Sequence, residues 1–96
     1  MSATLYIDGQ WVAPAAGGTR DIHCPANGEY VATVAAAQDA DTVRAIEAAK
    51  VALESRVWVD TPARERGDLL LRVAALLRER KEEFARAESL DTGKRI

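Results

Sequence analysis

The sequence predicts an α+β chain, with two short β-hairpins within residues 1–38 and two or three α-helices within residues 39–96. Three observations carry that prediction. Asp8-Gly9 and Asn27-Gly28 break up short apolar runs in the first third. Near Gln38 the apolar residues change from alternation to steps of three and four. Thr61-Pro62 and Gly93 then punctuate the second half as helix boundaries.

Leu5, Ile7, Trp11 and Val12 flank Asp8-Gly9. A type I′ turn needs positive φ at both central residues, and this pair tolerates it, so a hairpin is predicted there. Pro14 to Gly18 is a loose connection of small residues. Ile22 to Cys24 and Tyr30 to Val34 then flank Pro25-Ala26-Asn27-Gly28. Proline presets φ and Asn-Gly accepts left-handed geometry, which predicts a second turn between extended segments.

From residue 39 onward, Val43, Ile46, Ala49 and Leu53 recur at helical spacing, predicting a first helix over Ala40 to Ser55. Asp39 suits its cap and Asp41 its positive end. Trp58 falls in a linker. Thr61 is the expected cap of the second helix, with Pro62 at the first helical position, where its missing N–H costs nothing. Leu69, Leu70, Val73, Leu76 and Leu77 form that helix's apolar stripe. Phe84 and Ala87 resume the stripe after the charged run Arg78 to Glu83, either as one continuous helix or as a third helix after a break near Arg80. Gly93 supplies the residue of positive φ that ends a helix. Alternating charges allow pairs of Arg64 with Asp68, Asp68 with Arg72 and Glu82 with Arg86, as weak contacts on a solvated face.

A chain of 96 residues holds at most one small domain. Although 48% of it is hydrophobic, 19 residues are Ala, and Leu, Ile, Val and Phe number only 21. The core is expected to be thin, with Trp11 and Trp58 covering it. A net charge of -2 gives no field for gathering phosphates, which argues against nucleic acid and membrane surfaces as partners. One Cys makes no internal disulfide, and no basic-then-apolar leader or spanning apolar run is found, so the expected location is the cytoplasm. One His and one Cys exclude a tetrahedral metal site of those residues alone, whereas an oxygen-ligated metal stays open.

The order of the segments is distinctive. Tyr6-Ile7-Asp8-Gly9-Gln10-Trp11-Val12 comes first, then Pro25-Ala26-Asn27-Gly28-Glu29, then Trp58 with Thr61-Pro62-Ala63-Arg64-Glu65-Arg66. Glu88-Ser89-Leu90-Asp91-Thr92-Gly93-Lys94 closes the series. Together they closely resemble the amino-terminal region of the NAD(P)-dependent aldehyde dehydrogenase superfamily, in wording most like its betaine-aldehyde and semialdehyde members. The resemblance implies that residues 1–96 correspond to the start of that family's cofactor-binding domain. It also implies an oxidoreductase that forms homo-oligomers as a whole subunit and uses NAD or NADP. In that chemistry a Cys thiolate attacks the aldehyde, hydride passes to the nicotinamide, and a Glu-activated water hydrolyses the thioester.

The family's nucleophile, general base and glycine turn beneath the pyrophosphate all belong to motifs that these 96 residues do not contain. The chain alone is therefore expected to bind no dinucleotide and to be catalytically silent. Cys24 stands where the family usually carries Asn, has no oxyanion-hole sequence around it, and reads as a small buried hydrophobe. His23 beside it makes a poor dyad, since adjacent strand residues face opposite ways.

The resemblance implies one metal site, a buried monovalent cation such as potassium. It would be held by the Asp91 carboxylate and a backbone carbonyl that maps to Ile22, with further carbonyls from beyond Ile96. Oxygen ligands suit a hard cation, and the bland alternative is a polar residue in the last helical turn. Arg66 matches a family Arg, expected as an ion pair or carbonyl clamp, while Asp68 departs from a position that is often basic. Helices that normally cover a sheet would expose apolar faces here, so self-association is expected, and a non-catalytic interaction module is the alternative function.

Overall fold

A computed structural model describes residues 4–96. Four strands precede three helices, the larger of the two helix counts that the sequence allows: β1 (Leu5–Ile7), β2 (Gln10–Val12), β3 (Thr19–His23), β4 (Tyr30–Ala35), α1 (Asp39–Glu54), α2 (Ala63–Glu79) and α3 (Lys81–Thr92). The strands form two separate antiparallel ribbons, β1 with β2 and β3 with β4.

The first ribbon turns through Asp8 at φ 53° and Gly9 at φ 73°, which is the double positive φ that the Asp-Gly pair requires. Its register sets Tyr6 opposite Trp11, and their rings lie 4.9 Å apart as a cross-strand pair. Trp11 is 73% exposed, so it lies on the outer face of the ribbon and does not cover a core. In the second ribbon the pairing slips between Ile22 and His23, which face Ala32 and Tyr30, so Val31 is the extra residue of a bulge. The turn closes with the Cys24 N–H donating to the Glu29 carbonyl at 2.8 Å and the Gly28 N–H donating to the Cys24 carbonyl at 2.7 Å. Of the Asn-Gly pair only Gly28 takes positive φ, at 75°.

Helix α1 begins one residue earlier than expected, and its cap is Gln38 instead of Asp39. Asp41, three residues on, accepts the Gln38 N–H at 3.0 Å, the returning arm of a capping box. Of the expected stripe, Val43, Ile46 and Leu53 do not face a core, since all three are more than half exposed, while Ala49, also exposed, lies on the side of the first ribbon. The small face of Ala45, Ala48, Ala49 and Ala52 meets the first ribbon instead, lining a recess with Tyr6 and Ile7. Of these only Ala48 is half-buried, and it also lines a second recess beside Ile7 with Arg44, Glu47 and Val51.

For α2 the cap is Pro62, whose carbonyl accepts the Arg66 N–H at 3.1 Å. Thr61, the expected cap, instead donates its hydroxyl to the Val57 carbonyl at 2.6 Å within the preceding turn. The chain does break at Arg80, which leaves helical geometry at φ −102°, ψ 22° and separates α2 from α3. Its guanidinium bonds back to Glu83, with Nε 2.8 Å from the carboxylate. The ion pairs found are Lys50–Glu54, Arg56–Asp60, Arg80–Glu83 and Lys94–Glu88. The expected Arg64–Asp68, Asp68–Arg72 and Glu82–Arg86 pairs are absent among the described residues. Each lies on an exposed helix face, where holding two long side chains together gains little.

Only Ile7, Pro14, Cys24 and Asp41 are buried among the described residues. The radius of gyration is 17.1 Å, whereas a compact chain of this length would give about 12 to 13 Å. Its solvent-accessible surface is 7981 Å², against roughly 5,400 Å² for a compact protein of the same mass. The excess is about 2,600 Å², and large apolar side chains are exposed on all three helices and on both ribbons.

Candidate functional site

The best-built region lies where α3 ends against the second ribbon. Gly93 takes φ 75° and donates its N–H to the Ser89 carbonyl at 2.9 Å, closing the helix. It also rests directly on the Pro25 turn. A Cβ at Gly93 would come within 3.2 Å of both the Ala26 nitrogen and the Ala26 Cβ. Glycine is thus required there for conformation and for space.

Hydrogen bonds knit the same terminus. Ser89 Oγ donates to the Lys94 carbonyl at 2.6 Å and Thr92 Oγ1 to the Glu88 carbonyl at 2.7 Å, while Lys94 Nζ meets Glu88 Oε1 at 3.2 Å. Asp91 is exposed in this last turn, two residues before Gly93. Ile22 lies on β3, three residues before Pro25, and is half-buried. The fold therefore docks the segment that carries Asp91 onto the end of the ribbon that carries Ile22. No group of three or more His, Cys, Asp or Glu side chains converges among the described residues.

Cys24 lies at the root of the turn, 6% exposed and unpaired, with its backbone engaged on both sides by Glu29 and Gly28. His23 is exposed and edge-on to Tyr30, with ring centroids 6.1 Å apart. One side chain is buried and its neighbour is outside, so the chain assembles no thiol–imidazole pair.

Arg66 makes neither an ion pair nor a carbonyl clamp among the described residues. Its guanidinium carbon sits 5.9 Å from the centre of the Trp58 ring, a cation–π contact, and its buried Nε has no hydrogen-bond partner. Beside it runs an open groove of about 460 Å³, lined by Trp58, Thr61, Glu65, Asp68, Leu69 and Arg72. Trp58 is 47% exposed and forms a wall of that groove, not the lid of a core.

Asp41 has a role that the sequence reading missed. Besides Gln38, its carboxylate accepts the Ala15 N–H at 3.0 Å, tying the loop after β2 to the start of α1. The N–H groups of Gln38 and Ala15 hold its pKa below the usual carboxylate range, and the charge of Arg44 adds to this against the opposing effect of burial. Glu83 is likewise lowered, by the hydrogen bond from Arg80. The spacing from Gln38 to Asp41 is a cap-to-N3 spacing and signals the local bond, but nothing in the sequence signals Ala15.

Comparison with known proteins fits this geometry. The model of the aldehyde dehydrogenase family matches residues 11–96. Betaine aldehyde dehydrogenase of Bacillus subtilis is 42% identical over the whole chain, which spans 20% of that relative's length. Betaine aldehyde dehydrogenase of Staphylococcus aureus, solved in complex with NAD+, superposes with a TM-score of 0.91 at 44% identity, over 97% of this chain and 18% of that one. A second NAD+ complex of the same enzyme gives a TM-score of 0.88 at 45% identity, over 93% of this chain and 18% of that one. The chain thus spans about a fifth of the length of the relatives it matches, and its fold is the one they carry in this stretch. On the family match over residues 11–96 and this superposition, the chain belongs to the aldehyde dehydrogenase family.

Proposed function

We propose that this chain serves as the amino-terminal portion of an NAD(P)-dependent aldehyde dehydrogenase subunit, supplying a structural layer and part of a cation site but no catalytic group. The supporting observation is the pairing of a family fold with a surface about 2,600 Å² larger than a compact chain would show, together with apolar side chains left exposed along α1 and α2, among them Ile46, Leu53, Leu70 and Leu76. A standard interface takes roughly 800 Å² from each partner, so these faces call for a large apolar covering. In this reading the remainder of the subunit provides it, together with the thiolate, the general base and the dinucleotide site. NAD is the cofactor named in the solved relatives, and in this reading the substrate class is an aldehyde, oxidised to a carboxylate by the whole subunit. The cytoplasm is the compartment we assign, on the single unpaired Cys24; no described helix is long and apolar enough to cross a membrane.

The cation belongs to the same reading. Asp91 supplies a carboxylate and Ile22 a backbone carbonyl, both hard oxygen donors. The seating of Gly93 on Ala26 brings their two segments together. The donor chemistry fits a monovalent cation, with the rest of its shell coming from outside these residues.

Complementation tests the proposal. A betaine aldehyde dehydrogenase lacking the corresponding amino-terminal segment is co-expressed with this chain, and reduction of NAD by betaine aldehyde is followed. Activity should appear only with both pieces present. The chain alone should give none above a Cys24→Ser control. Turnover by the chain alone that vanishes in Cys24→Ser would overturn catalytic silence. Failure of complementation, with the chain behaving as a discrete cooperative oligomer, would favour the interaction-module reading instead.

A further inference from the structure

We propose that Asn27–Gly28 is a site of spontaneous covalent modification, an asparagine deamidation gated by closure of the Pro25 turn. Asn27 is the one asparagine of the sequence, and it is exposed. The residue after it is glycine, so no side chain shields the backbone nitrogen that must attack. A Cβ at Gly28 would meet nothing within 4 Å, so the turn is open to solvent on that side. The reaction needs only water and a base. The Gly28 nitrogen gives up its proton and bonds to Asn27 Cγ, closing a five-membered succinimide. The Cγ–Nδ2 bond breaks, and Nδ2 leaves as ammonia with the transferred proton. Water then opens the ring at either carbonyl, leaving aspartate or isoaspartate at position 27 and a chain heavier by about 1 Da.

Three hydrogen bonds hold the reacting groups apart from this course. The Gly28 N–H, whose proton must leave, is engaged by the Cys24 carbonyl at 2.7 Å. The Asn27 carboxamide is tied at both ends to Glu29, with Oδ1 accepting the backbone N–H at 3.1 Å and Nδ2 donating to Oε2 at 3.0 Å. Cγ swings onto the Gly28 nitrogen only when these contacts open, so the folded turn slows the reaction and the open turn releases it.

The product alters the turn in two ways. A carboxylate at position 27 faces the Glu29 carboxylate where an amide donor had been, replacing a hydrogen bond with like-charge repulsion. Isoaspartate adds a methylene to the main chain beside Ala26, the residue on which Gly93 is seated without room for a Cβ. Modification therefore loosens the contact between the turn and the end of α3.

The test is a time course in mildly alkaline buffer, with the full chain folded in one arm and unfolded by denaturant in the other. Intact mass and the tryptic peptide covering residues 21–44 are followed. The expected result is a gain of about 1 Da at Asn27, as aspartate and isoaspartate. It should be about tenfold slower in the folded arm, an opening free energy of about 1.4 kcal/mol. Asn27→Gln should abolish the gain in both arms. Loss of the one asparagine side-chain amide signal by NMR gives the same rate without digestion. No gain at Asn27 in the unfolded arm, a gain that maps to Gln38, or equal rates in the two arms would each overturn the proposal.

Discussion

The Asp41 carboxylate accepts the Ala15 N–H at 3.0 Å across 26 residues of sequence, joining the first ribbon's exit loop to the first turn of α1. Asp41 is also 2% exposed, the most buried polar residue identified. One side chain thus caps a helix and fixes where that helix lies against the ribbon. The folded pKa is depressed below the ordinary 3.8, so the charged form is the one the fold favours. This contribution is fully present above that value and is lost as pH falls through the lower folded pKa. Acid titration should therefore release the Ala15 amide first below 3.8, seen as faster hydrogen exchange. Asp41→Asn should do the same at neutral pH, on the order of tenfold, because an amide offers one acceptor oxygen where two donors converge. Unchanged Ala15 exchange in Asp41→Asn would show that the tie does not hold the loop.

Gly93 and Gly28 separate conformation from contact. Both have φ 75°, but a Cβ at Gly28 meets nothing within 4 Å while one at Gly93 meets Ala26 at 3.2 Å. Gly28→Ala should cost about 1 kcal/mol for the left-handed backbone alone. Gly93→Ala should cost that plus the displacement of a packed turn, about 2 kcal/mol in all. Denaturant unfolding of the two variants side by side measures the difference. Equal costs would mean that the Gly93–Ala26 contact contributes nothing.

The hairpins and the helix order were legible because their signals are local. Asp8-Gly9 dictates its turn through backbone sterics, and Gly93 and Arg80 end helices within one turn of their own residues. What was not legible depended on what lies opposite. Val43, Ile46 and Leu53 read correctly as an apolar stripe, but periodicity does not say whether a stripe meets this chain or another surface. Ala49 was the one member of that stripe on the ribbon's side, with Ala45, Ala48 and Ala52, which are weak as a hydrophobic signal. Trp11 misled for a related reason: its mass suggested a core position, but its cross-strand partner Tyr6 lies on the outer face of a two-stranded ribbon. At the candidate site, Gly93 and the Pro25 turn could be read singly, whereas their contact and the Asp41–Ala15 tie are non-local.

Ile7 and Leu70 should respond in opposite ways to context. Ile7, the last residue of β1, is 6% exposed beside α1, so Ile7→Ala removes packing that the chain makes by itself. It should cost about 2 kcal/mol, the low end for such truncations. Leu70 is 63% exposed on α2, and Leu70→Ala should shift the isolated chain by less than about 0.5 kcal/mol. In the complementation experiment the order should reverse, with Leu70→Ala weakening assembly about tenfold or more, because its side chain is then buried by the covering surface. Thermal unfolding of the chain and titration of the complementing piece give the two readouts. Leu70→Ala that leaves assembly intact would remove α2 from the docking face.

Asp91 carries the prediction for the cation. The last turn of α3 holds no basic residue, so a carboxylate there opposes the negative end of the helix dipole and gains nothing locally. Its segment is nevertheless fixed by the Ser89, Thr92 and Gly93 bonds and seated on the turn that follows Ile22. A monovalent cation between Asp91 and the Ile22 carbonyl would offset that unfavourable charge. In a full-length relative carrying this segment, potassium should raise the unfolding temperature over sodium-free, potassium-free buffer, and Asp91→Ala should remove most of that rise. Mass action sets the scale, since saturation at about 100 times Kd stabilises by about 2.7 kcal/mol. Asp91→Asn should retain part of the effect, because its carboxamide oxygen still ligates but the countercharge is gone. Equal stabilisation by potassium in wild type and Asp91→Ala would overturn the cation assignment and leave Asp91 an ordinary surface carboxylate.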